Sequence, residues 1–174
     1  MPVSERRLAQ IRELSNAEWV DRLDTSGFDD ADWERFDAEM KTQTRAFCRD
    51  NPDPEELHAF ADTWNWDDGT WALEEILGNP ACEAATALLI YWRAAPEWYL
   101  QYSDRDAAAS WEREDFDFLI RLEARYLAAE FRVGSLSFDP ADPLDNRVGV
   151  YDDLREKFVR ALPRVMYAPV RPVV

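Results

Sequence analysis

The stretch Ala84-Ala85-Thr86-Ala87-Leu88-Leu89-Ile90-Tyr91-Trp92 is apolar on nearly every side when wound as a helix. Such a helix has no face to give to water, so it must be surrounded by other elements, and residues 82–94 therefore predict the core helix of a packed domain. The rest of the chain has the means to surround it. Forty-seven per cent of its 174 residues are hydrophobic and 13% aromatic, which is enough for one sizeable core without disulfide or metal staples. The 36 acids must then decorate a folded body, since a disordered acidic chain would be poor in aromatics.

Only five glycines occur, and the β-branched residues are scattered instead of alternating, so strands are not expected. The predicted class is all-α: a single compact multi-helix domain of about seven to eight helices over residues 1–162, followed by an extended C-terminal tail over 163–174. Pro163, Pro169 and Pro172 exclude a regular helix from that tail, which is expected to lie on the surface. No apolar run approaches the roughly 20 residues that span a bilayer. The start Met1-Pro2-Val3-Ser4-Glu5-Arg6-Arg7 lacks the apolar centre of a signal peptide, so a cytoplasmic protein is expected.

Apolar spacing and breakers place the helices. Ser4 as an N-cap precedes a helix over about 4–14, and a short second helix runs from Ser15 or Asn16 to Gly27 with Trp19, Val20 and Leu23 inward. A longer helix spans Asp29 to Asp50. Asn51-Pro52 breaks it, and Asp53 with Glu56 has the form of a capping box before a helix over 54–64, with Pro54 at its first position. Trp64 to Gly69 reads as a turn in which Gly69 needs a positive φ or a close approach. Trp71 to Leu77 is a short helix stopped by Gly78-Asn79-Pro80. After the core helix, Asp104 to about Phe131 predicts a long helix, 134–147 a loop, and 151–162 a last helix.

Charge is distributed unevenly. The formal net charge is −16, and from Asp50 through Trp92 ten carboxylates stand without a single Lys or Arg. After Glu156 the order reverses: Lys157, Arg160, Arg164 and Arg171 occur with no acid. Crowded like charges cost stability but speed encounters with a cation, so the acidic stretch predicts a basic protein partner and argues against nucleic acid or anionic lipid. The competing expectation is a solvated face that serves solubility, or one neutralised by the basic tail. The partner-binding candidates are Asp50, Asp53, Glu55, Glu56, Asp62, Trp66, Asp67, Asp68, Glu74 and Glu75.

Within this stretch, Leu57-His58-Ala59-Phe60-Ala61-Asp62-Thr63-Trp64-Asn65-Trp66-Asp67-Asp68-Gly69, then Ile76, Asn79-Pro80, Cys82-Glu83 and Thr86-Ala87-Leu88, resembles the bacterial domain-of-unknown-function family numbered 4274. The resemblance covers 57–92. It departs from the expected Cys-Asp at Cys82-Glu83, and it implies a bacterial helical domain without supplying an activity.

No catalytic apparatus is predicted. His58 and Asp62 share a helix face with Asp67-Asp68 just beyond it, but His58 is read as a partly buried polar residue hydrogen-bonded to an acid, with Asp68 capping the helix after Gly69; no metal is expected. Asp139, Asp142 and Asp145 lack the Gly and Glu of a calcium loop. Cys48 and Cys82 read as buried thiols, and no phosphate loop or dinucleotide fingerprint occurs, so no cofactor is expected. Of Trp64, Trp66, Trp71, Trp92, Trp98 and Tyr99, most belong to the core and one or two near the acidic corner are expected to be exposed anchors. The functional expectation is an acidic bacterial binding protein of the immunity type that neutralises a toxin or other basic effector by direct contact. The alternatives are a scaffold module that self-associates and, more remotely, a carboxylate-based or metal-dependent hydrolase.

Overall fold

The structure is a computed structural model that describes residues 3–16 and 25–173. The expected helix carrying Trp19, Val20 and Leu23 lies largely outside the described residues. Those described are all-helical, with six α-helices, four short 3-10 turns and two isolated β-bridges but no strand. They pack as two compact units, Met1–Cys82 and Glu83–Val174.

The first unit contains α1 (Glu5–Asn16), α2 (Asp30–Asp50), α3 (Pro54–Thr63), a 3-10 turn (Trp66–Asp68) and α4 (Trp71–Gly78). The Ser4 hydroxyl accepts from Arg7 N at 3.3 Å, as an N-cap should. A complete capping box starts α2, where the Asp29 and Asp32 side chains each accept from the other's backbone N–H. At α3 only half of the expected box forms. Asp53 caps Glu55 N and Glu56 N, but the Glu56 carboxylate turns away to take two N–H groups of Arg7 at 2.7 and 2.6 Å and the amide of Asn51 at 2.8 Å. A bidentate charged pair outcompetes one backbone amide.

Helix α1 packs on α3 and α2 on α4. Two polar clasps close these pairs. The hydroxyls of Ser15 and Thr63 lie 2.7 Å apart, and Asn65 N donates to Ser15 O at 3.0 Å. The buried Asn79 amide donates to Cys48 O and Asn51 O, both at 2.9 Å, while its oxygen accepts from Ala81 N at 2.8 Å. That one side chain joins the end of α4 to the end of α2 and satisfies carbonyls the helix itself leaves open.

The second unit contains α5 (Ala84–Arg93), a 3-10 turn (Trp98–Gln101), α6 (Arg113–Leu127) and 3-10 turns at Asp152–Lys157 and Arg164–Tyr167. Every residue of α5 from Ala84 to Trp92 is buried, as its all-round apolar pattern requires, and α6 packs on it. Helix α6 begins nine residues later than expected from the sequence. Asp104 instead caps a turn by accepting from Asp106 N and Ala107 N, and Glu112 is held by the Trp98 indole at 2.8 Å and the Tyr102 hydroxyl at 2.7 Å. The local Asp104 cap and the bonds that tie Glu112 back to the preceding 3-10 segment hold 104–112 out of the helix.

The last helix expected over 151–162 is reduced to the turn Asp152–Lys157. From Pro163 onward the chain is anchored: Met166 is fully buried, its carbonyl accepts from the Trp92 indole at 2.7 Å, and Val170 pairs with Phe138 in an antiparallel bridge. The tail therefore contributes side chains to the core of its own unit, which the prolines alone did not indicate.

Candidate functional site

The chain turns sharply between α3 and α4, and each residue there has an identifiable task. The Trp64 indole donates to Gly69 O at 2.8 Å, Asn65 caps the 3-10 turn through Asp67 N at 3.2 Å, and its amide reaches the Asp68 carboxylate at 3.2 Å. Gly69 has φ +78, the left-handed region expected of it. Thr70, not Asp68, stands at the N-cap of α4, and it makes no side-chain cap bond; the capping role expected of Asp68 is therefore wrong, because the 3-10 turn aims its carboxylate back at Asn65. Trp66 and Asp67 remain, half-buried and exposed respectively.

Behind the corner runs a ladder of rings. Phe47 and Phe60 are 5.5 Å apart, Phe60 stacks on Trp64 at 5.4 Å, and Trp64 meets Trp71 edge to face at 5.4 Å. Guanidinium groups close both ends, Arg7 over Phe47 at 5.6 Å and Arg45 over Trp71 at 5.4 Å. The ladder joins α2, α3 and α4 through Trp64 and Trp71.

A cavity of about 290 Å³ opens at the Trp71 end of this ladder. Trp64 and Trp71 wall it, Leu14 and Met40 add apolar surface, and Asp37, Lys41, Thr44 and Asp68 supply the polar groups. Of the acids singled out in the sequence, Asp68 alone lines it. Asp37, Met40, Lys41 and Thr44 were missed, though their spacing of three, one and three residues puts them on one face of α2.

The remaining candidates divide by what holds them. Asp50 pairs with Arg49 at 2.8 Å, and that hydrogen bond lowers its pKa. Asp53 is the α3 cap. Glu56 is held below the ordinary carboxylate range chiefly by its hydrogen bonds from Arg7. Glu75 lies 4.0 Å from Arg45. Glu55, Asp62 and Glu74 are engaged by other groups of the chain. Among the described residues no group of three His, Cys, Asp or Glu side chains is placed to hold a metal ion, and His58 and Asp62 form no such cluster with Asp67 and Asp68. Cys48 is fully buried, and burial pushes its thiol far above the ordinary range. No helix among the described residues is long and apolar enough to cross a membrane.

The first unit also concentrates the charge. Residues 1–82 hold 20 acids and 8 bases, a net −12 of the chain's −16. The basic tail makes ion pairs within the second unit, Arg160 with Glu123 at 3.5 Å and Arg171 with Asp139 at 3.3 Å.

Residues 52–127, from α3 through α6, match the model of the family described as "Domain of unknown function (DUF4274)". The match encloses the resembling segment 57–92 and extends it through α6. No curated protein and no solved structure matches the chain.

Proposed function

We propose that the first unit binds a basic protein through its acidic surface around the α3–α4 corner, and that the chain acts as an immunity-type inhibitor of a cationic effector. The observation that carries the reading is the net −12 within residues 1–82, while tail arginines Arg160 and Arg171 pair inside the second unit. Unneutralised charge of one sign costs folding stability and steers an oppositely charged protein into contact. The corner adds Trp66, Asp67 and a tryptophan-walled cavity, the mixture of aromatic anchor and charged rim from which interfaces are built.

The test is co-expression. Products of the adjacent genes are expressed alone and together with this protein, and growth is scored. A toxic neighbour relieved by the wild type, and relieved less by a variant with Asp67 and Asp68 replaced by Lys, supports the reading. Relief that ignores those charges, or neighbours with no toxicity, removes it.

A second reading, a module that self-associates, is favoured by the apolar surface of the second unit, where Trp111 is 81% and Leu144 96% exposed. Sedimentation of the isolated protein decides it: a monomer at all concentrations excludes self-association.

A further inference from the structure

The cavity in the first unit has a chemistry more specific than net charge. Two indoles meeting at 87° form a corner, and the cavity they wall is also lined by two acids from different elements, Asp37 of α2 and Asp68 of the 3-10 turn, whose carboxylate accepts from the Asn65 amide as well. Indole faces attract cations, and Trp71 already holds one in the guanidinium of Arg45 at 5.4 Å. Leu14 and Met40 provide the apolar lining that a methylene stem prefers. An anion would meet two carboxylates here, and a bare divalent ion, which wants several oxygens, would meet indoles. What fits is a long aliphatic stem ending in a cation.

We propose that this cavity receives a lysine or arginine side chain projected from the basic protein partner; this rests on the function proposed above. The one base in the lining, Lys41, follows Asp37 by four residues on the same helix. At that spacing its ammonium shares the face of Asp37 and competes with an incoming cation. Affinity is therefore held down by the chain itself, and removing Lys41 strengthens capture.

The experiment follows the indole N–H resonances of Trp64 and Trp71 in nitrogen-15-labelled protein. The probes, at matched ionic strength, are the Nα-acetyl methylamides of lysine and arginine, with the norleucine derivative as the neutral isostere. The Trp71 resonance is expected to move with lysine or arginine and to stay still with norleucine. Asp37→Asn is expected to weaken the response several-fold, and Lys41→Ala to strengthen it. Because Asp37 is exposed on the surface of α2, its variant should keep the wild-type amide spectrum; if it does not, Lys41→Ala alone decides. Equal shifts with norleucine, or no Trp71 shift with either cation, overturn the proposal. An octalysine peptide is titrated in parallel. If octalysine binds while Trp71 stays unmoved, the cavity assignment fails and the acidic-surface reading stands; if the single amino acids shift Trp71 but octalysine does not bind, the reading fails and the cavity assignment stands.

Discussion

The indole N–H of Trp64 donates to the carbonyl of Gly69 at 2.8 Å, closing the corner Trp64-Asn65-Trp66-Asp67-Asp68-Gly69 upon itself. The bond works only if the chain reverses within five residues, and Gly69 at φ +78 provides the reversal. A Cβ at residue 69 would meet nothing within 4 Å, so the demand for glycine is purely one of backbone conformation. Gly69→Val is expected to destabilise the fold by roughly 1–3 kcal/mol. Chemical denaturation should show the same loss with and without a basic peptide present.

Glu83 makes a second prediction. It is 2% exposed at the N-cap of α5, its carboxylate accepts from Leu136 N at 2.9 Å and pairs with Arg132 at 3.4 Å, and Ala84 N donates to Arg132 O at 2.8 Å. A Cβ on Gly134 would run into the Glu83 carboxylate. Gly134→Ala is therefore expected to cost about 1–3 kcal/mol through overpacking of a side chain that cannot withdraw. The double variant Gly134→Ala with Glu83→Asp, which retracts the acid by one methylene, should recover part of that loss in thermal melts.

Acid should loosen the first unit through Glu56. Its pKa is depressed, first by the hydrogen bonds from Arg7, and a depressed carboxylate stabilises the fold fully above its unfolded value of 4.5. That contribution is lost as pH falls through the lower folded value. Stability of Glu56→Gln should be below wild type at neutral pH and converge on it in acid. A constant difference across the range would show that the pair is not ionic in origin.

Metal chelation gives a fourth prediction. Since the described residues offer no cluster able to hold a metal ion, EDTA should leave the melting temperature unchanged. A fall of several degrees would reveal a metal that supports the fold.

The helical class, α5 and the α3–α4 corner were legible because their signals are local: an apolar run, Pro54 after Asp53, and Gly69 after two acids. What escaped the sequence depends on partners far along the chain. Glu56 left its capping box for Arg7, 49 residues away, and Met166 entered a core despite three neighbouring prolines. Glu112 stopped α6 from starting at Asp104 because Trp98 and Tyr102 hold it. The cavity was half legible: Asp68 was marked by charge, whereas Asp37 and Met40 sit in a helix whose acids and bases interleave, and nothing local distinguishes them from a solvated face.

Position-specific charge in the first unit is what a basic partner would read. Association of a labelled octalysine peptide is measured by fluorescence anisotropy over a salt series for wild type, Asp67→Asn, Asp37→Asn and Asp142→Asn. Asp67 and Asp37 are exposed in the first unit, whereas Asp142 lies in the second, where its carboxylate accepts from Leu144 N at 2.8 Å. The first two substitutions are predicted to weaken association and flatten its salt dependence while leaving the melting temperature near wild type, and Asp142→Asn to change neither. Three variants that bind alike, or an Asp67→Asn protein that mainly unfolds, would contradict the claim that this surface exists for a partner.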